Sequence, residues 1–194
     1  PTGTAPATRW GHAAVYDPVG DRMVVFGGQG GATAPLNDVW ALSLSGTPAW
    51  TQLTPSGTLP GGRRGAGAAY DAVRHRLLLF GGQAFGFMSD VWALSLSGGL
   101  AWTQLTPAGT TPSAREYPAA TYDSARDELV MIGGMSGTYL NDVWTLSLGG
   151  SPTWSQLAPA GTPPGGRELH TAVLDPIHDR IAAIQPLAMG ALLD

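Results

Sequence analysis

The chain has 194 residues, 43 % of them hydrophobic, enough apolar material for a core and too much for intrinsic disorder. A net charge of −4, with arginines dispersed along the chain, provides no basic footprint and excludes nucleic acid as an expected partner. There is no cysteine, which removes disulfides, thiolate metal sites and cysteine nucleophiles, and no apolar run nears the roughly 18 residues of a membrane-spanning helix.

Glycine (28) and proline (16) recur at fixed intervals and punctuate many short strands. The chain begins at Pro1 with neither an initiator Met nor a charged-then-apolar leader, which reads as a processed form or a piece of something longer.

The first predicted strand runs from about Arg9 to Asp17 and is built of small residues, Gly11-His12-Ala13-Ala14-Val15, as suits a strand crowded from both sides. Asp17-Pro18-Val19-Gly20-Asp21 is a turn. Met23-Val24-Val25-Phe26 is a continuous apolar run, expected of a strand covered on both faces, and it ends in the pair Gly27-Gly28. After a loop, Val39-Trp40-Ala41-Leu42-Ser43-Leu44 alternates apolar with small polar residues and predicts a third strand. Trp50-Thr51-Gln52-Leu53 is a short fourth, followed by a stiff connector over 54–60. No segment shows the 3.6-residue period of a helix.

This unit repeats. Arg9, Arg63, Arg115 and Arg167 are separated by 54, 52 and 52 residues, and Trp50, Trp102 and Trp154 by 52 each. Gly81-Gly82 and Gly133-Gly134 match Gly27-Gly28, and Asp-Val-Trp recurs at Trp40, Trp92 and Trp144. The units are 9–62, 63–114 and 115–166, with a partial fourth at 167–185 in which Gln185-Pro186 replaces the glycine pair; 186–194 reads as a cap or a truncation.

An Arg before a small-residue strand, an apolar strand closed by Gly-Gly, an upstream Tyr and a downstream Trp, three times in register, resemble the kelch repeat. The resemblance implies an all-β fold of four-stranded antiparallel β-propeller blades, each with its first strand nearest a central channel. Kelch propellers usually close with six or seven blades, so three and a half make an incomplete ring. The expected remedy is a homo-oligomer, two copies completing one ring about a two-fold axis, unless the chain is part of a longer propeller.

Where matched repeat positions differ, a ligand site is expected. The position after the repeated Arg holds Trp10, Arg64, Glu116 and Glu168; Tyr117 follows Glu116, and His12 and His170 share the third position. In kelch propellers these open onto one channel mouth, which implies a pocket for a polar ligand such as a glycan or peptide. The two His beside Glu116 or Glu168 admit a metal on residue type alone, but no metal or other cofactor is expected. The strictly recurring Arg9, Arg63, Arg115 and Arg167 read as blade-to-blade hydrogen-bond forks. Asp38, Asp90 and Asp142 read as acceptors for turn amides, and Trp40, Trp50, Trp92, Trp102, Trp144 and Trp154 as inter-blade packing.

The resulting expectation is a non-catalytic, self-associating module that contacts a protein or glycan. Connectors rich in Pro, Gly, Thr and Ser are similar to those of bacterial extracellular repeat proteins and imply export. The alternative is an enzyme on a small sugar-like substrate, with Glu116, Glu168, Arg64, His12 and His170 as acid, base and anchor; a half-propeller without a ligand is the third reading. No nucleophile or phosphate-loop motif supports catalysis.

Overall fold

The computed structural model describes residues 1–31 and 34–184, and every regular element among them is a β-strand. The first blade is an antiparallel sheet in chain order: β1 (Ala13–Asp17), β2 (Arg22–Gly28), β3 (Leu36–Ser43) and β4 (Trp50–Leu53). The second repeats it with β5 (Gly67–Asp71), β6 (Arg76–Gln83), β7 (Phe87–Ser95) and β8 (Ala101–Leu105). The third consists of β10 (Ala119–Asp123), β11 (Glu128–Met135), β12 (Tyr139–Ser147) and β13 (Thr153–Leu157), and takes β9 (Ala108–Gly109) as an added edge. Among the described residues a fourth unit is represented by the hairpin β14 (Thr171–Asp175) and β15 (Arg180–Ile184), and the sheets do not close into a ring. The expected terminal cap lies outside the described residues.

The apolar second strands are buried on both faces: Val24, Val25 and Phe26 in β2, and Leu77 to Phe80 in β6. Their burial is between blades. Ala13, Val15, Val24, Phe26 and Val39 of the first blade meet Leu77, Leu79, Trp92, Leu94 and Trp102 of the second in one core. Leu78, Phe80, Val91 and Ala93 meet Leu129, Met131, Trp144, Leu146 and Trp154 of the third in another. Phe26 takes Trp102 edge-on at 5.2 Å, and Phe80 takes Trp154 at 5.3 Å. Trp92 and Trp102 sit in the first of these cores and Trp144 and Trp154 in the second. Trp40 and Trp50, on the first blade, belong to neither core; Trp40 is buried and Trp50 half-buried.

The first strand departs from the expected span. Its ladder starts at Ala13, because Gly11 sits in the left-handed region (φ 62°) and turns the chain before the strand begins. Trp10 nevertheless bridges to Gln29. The glycine pair is a bulge in the ladder between β2 and β3, with φ of 63° at Gly27 and 90° at Gly28. A Cβ on Gly27 would stand 2.8 Å from the carbonyl oxygen of Arg63, while the Gly28 amide donates to that same oxygen at 2.9 Å. The pair is glycine because the next blade's backbone passes against it.

The connectors do more than cross between blades. Thr2, Ser56 and Ala108 each pair in parallel with the fourth strand of the following sheet, at Ala49, Ala101 and Thr153. All three stand in the same tetrapeptide pattern, Pro-x-Gly-Thr.

Candidate functional site

The repeated Arg side chains close forks within a blade, correcting the expected blade-to-blade role. Arg63 donates from Nη1 and Nη2 to Asp90 at 2.5 and 2.9 Å, and from Nη1 to the Gly81 carbonyl at 2.9 Å. Arg9 with Asp38 and Arg115 with Asp142 repeat it. The link to the neighbouring blade is made by the Arg main-chain carbonyl instead, which accepts from Gly28, Gly82 and, for Arg167, Gly134. The aspartates thus meet a guanidinium and not the expected turn amides. Each also accepts from the indole two residues on, Trp40, Trp92 or Trp144, at 2.6–2.7 Å. Burial alone would raise these carboxyls; the Arg and Trp bonds outweigh it and hold Asp38, Asp90 and Asp142 below the usual carboxylate range. The Arg167 guanidinium meets no carboxylate among the described residues and donates from Nε to Gly165.

With the forks as scaffold, the residue after each Arg is held at the rim. Trp10, Arg64 and Glu116 pair through both main-chain groups with Gln29, Gln83 and Met135, the residue following each glycine pair. Arg64 is the hub. It donates to Glu116 Oε2 at 3.3 Å, to Gln29 Oε1 at 2.9 Å and to Gln83 Oε1, and its Cζ lies 4.9 Å from the centre of the Trp10 ring. Gln29, Gln83 and Met135 were not anticipated; the signal is their constant offset from the glycine pair.

The next repeat position forms an inner ring. Gly65 donates to the Gly11 carbonyl at 2.7 Å and Tyr117 to the Gly65 carbonyl at 2.6 Å, linking three blades. Gly11 and Gly65 have φ of 62° and 63°, yet Tyr117 and Leu169 hold 51° and 57° with side chains that rarely accept this region. The Tyr117 ring lies across Gly65, where a Cβ would stand 3.1 Å from it, and its hydroxyl reaches Gly11. Two glycines make room for one tyrosine over the channel end.

The expected pocket therefore divides. Trp10, Arg64, Glu116, Tyr117 and Glu168 belong to the rim, whereas His12 and His170 line the channel beneath, about 360 Å³, among small residues such as Ala66, Gly67 and Pro118. Burial, then Glu116, raises the Glu168 carboxyl; burial, then Arg9 and Arg167 respectively, lowers His12 and His170, keeping both neutral at pH 7. Among the described residues no three His, Asp or Glu side chains gather as a metal-holding group. His75 and His178 lie in the first hairpin turn of their repeats, against Tyr70 and Asp175 respectively.

Residues 1–184 match the family described as the KLHDC2/KLHL20/DRC7 Kelch-repeats domain. Host cell factor 1 of Homo sapiens is 33 % identical over 173 residues, covering 79 % of this chain but 8 % of that protein. The dynein alpha chain of the flagellar outer arm of Chlamydomonas reinhardtii is 32 % identical over 184 residues, covering 90 % of this chain and 4 % of that one. The chain thus spans a small part of the relatives it matches. The solved structure of YjhT superposes with a TM-score of 0.66 at 18 % identity over 84 % of this chain and 56 % of its own, a likeness of fold. With glycine-pair bulges and Arg–Asp–Trp forks repeated in register through three blades, the chain belongs to the kelch-repeat family.

Proposed function

We propose that this chain is a non-catalytic binding and assembly module that takes a protein or glycan partner at the rim of Trp10, Arg64, Glu116, Tyr117 and Glu168. The observation that carries the reading is Tyr117. A tyrosine held at positive φ where the same repeat position is glycine in two blades keeps a strained backbone at the channel mouth, and strain of that kind gathers at ligand-contacting sites. The test is a peptide and glycan array probed with the wild-type chain and with Tyr117→Gly and Glu168→Gln. Ligands of the wild type should bind both variants at least about tenfold more weakly. Equal binding by all three contradicts the rim. Channel chemistry, the enzymatic alternative, requires turnover that Glu116→Gln and His170→Ala abolish.

Self-association is favoured by a separate observation. Leu42 and Trp50 on the first blade are half-buried, while their counterparts Leu94 and Trp102 are 0 % and 3 % exposed against a preceding blade. The first blade presents one half of a blade interface, and the third presents the other. Export of such a module is the reading its connector composition supports.

A further inference from the structure

We infer that the seam between the first and second blades is the one that opens, pivoting at the rim and parting at the far end, where the first hairpin turns lie. At that end the second blade is latched to the third. Arg74 donates from Nη1 and Nη2 to the two oxygens of Asp127 at 2.7 and 2.6 Å, from Nη2 to the Leu148 carbonyl at 2.7 Å, and to Asp71 of its own turn at 3.2 Å. Arg126 and Asp179 repeat the bidentate pair one unit later, at 2.6 Å in each bond. Between the first and second blades the same two positions hold Gly20 and His75. Gly20 has no side chain to offer, and Nδ1 of His75 lies 3.0 Å from the Tyr70 hydroxyl of its own blade. Arg22 reaches across instead, Nη2 donating to the Leu96 carbonyl at 3.3 Å while Nε stays on Asp17. Among the described residues no ion pair crosses this seam.

The two seams otherwise match. Each has its edge-on aromatic pair, at 5.2 and 5.3 Å, and its main-chain link from a glycine pair, Gly28 to Arg63 at 2.9 Å and Gly82 to Arg115 at 2.8 Å. The turn tyrosine lies by the preceding blade's aspartate in both, Tyr70 by Asp17 and Tyr122 by Asp71. Arg64 holds the rim end of both, through Gln29 and Trp10 on one side and Glu116 on the other. The latch is what distinguishes them. A bidentate Arg–carboxylate pair within a network is the kind of partly exposed ion pair that contributes measurably, so its absence makes local opening easier at one seam and leaves the other unchanged.

The chain has no cysteine, so one introduced thiol reports alone. Val15 and Ala69 share a repeat position, are 9 % and 6 % exposed, and sit in the cores of the first and second seams respectively. In the full chain under native conditions, Val15→Cys should react with dithiobis(nitrobenzoate) at least about tenfold faster than Ala69→Cys. Gly20 lies outside the left-handed region, so its backbone accepts arginine, with a shift of the Asp17–Arg22 pair, from which a Cβ would stand 2.7 Å. Installing the latch by Gly20→Arg with His75→Asp should slow the thiol of Val15→Cys at least about tenfold, and Arg74→Gly should speed that of Ala69→Cys as much. Equal rates in the two parent variants, or a Val15→Cys rate indifferent to the installed pair, overturns the inference. Should the installed pair loosen the whole chain, both thiols speed together; Arg74→Gly then decides, and an unchanged Ala69→Cys rate overturns the inference.

Discussion

Asp90 shows how one carboxylate ties a blade together: Arg63 bonds to both its oxygens and Trp92 to one of them. Replacing Asp90 by alanine leaves a guanidinium that is 2 % exposed, and an indole N–H, without their acceptor. The expected loss is about 3 kcal/mol in chemical unfolding, the range for breaking one side of a buried pair. The same fork sets a pH dependence. Because the folded carboxyls of Asp38, Asp90 and Asp142 lie below their unfolded value, their stabilisation is complete above about pH 4 and disappears as pH falls through the folded values. Asp127, drawn down to about 2 chiefly by Arg74 of the neighbouring blade, loses its share last. Acid unfolding followed by circular dichroism should therefore begin below pH 4, and a midpoint above pH 5 contradicts the forks as its cause. The Arg, Asp and Trp of each fork were legible as recurrences. Their mutual pairing was not, since Arg63 and Asp90 are 27 residues apart and meet only where the glycine bulge brings β7 beside the chain entering β5.

At the scale of elements, the seams between sheets carry the fold. Trp102 fills the seam against Phe26, so Trp102→Ala should cost about 3–5 kcal/mol, as truncating a buried tryptophan does. Trp50→Ala, at a half-buried counterpart, should cost less than half as much in the dissociated chain; equal costs in parallel urea titrations would mean that Trp50 is already covered. Apolar runs such as Leu77 to Phe80 made the second strands readable, because burial on both faces leaves no polar alternation. The start of the first strand was misplaced by four residues, since a left-handed turn at Gly11 has no hydrophobic signature. The rim was legible as a set of non-repeating positions, but the amides of Gln29 and Gln83 that hold Arg64 come from across the ladder, where sequence spacing conveys nothing.

At the scale of the whole molecule, three blades and a hairpin present two unlike halves of one recurring interface. The leading face of the first blade carries the tryptophan side, and the trailing face of the third carries the receiving side around Ile132. On the proposed self-association, a head-to-tail contact between two copies would cover both halves and close about a two-fold axis. The mass in solution tests this most directly. Light scattering across a dilution series should give twice the 20.0 kDa chain at high concentration, shifting toward one chain on dilution and on Trp50→Asp substitution. A monodisperse single-chain mass throughout the series, with the chain folded and stable, contradicts it.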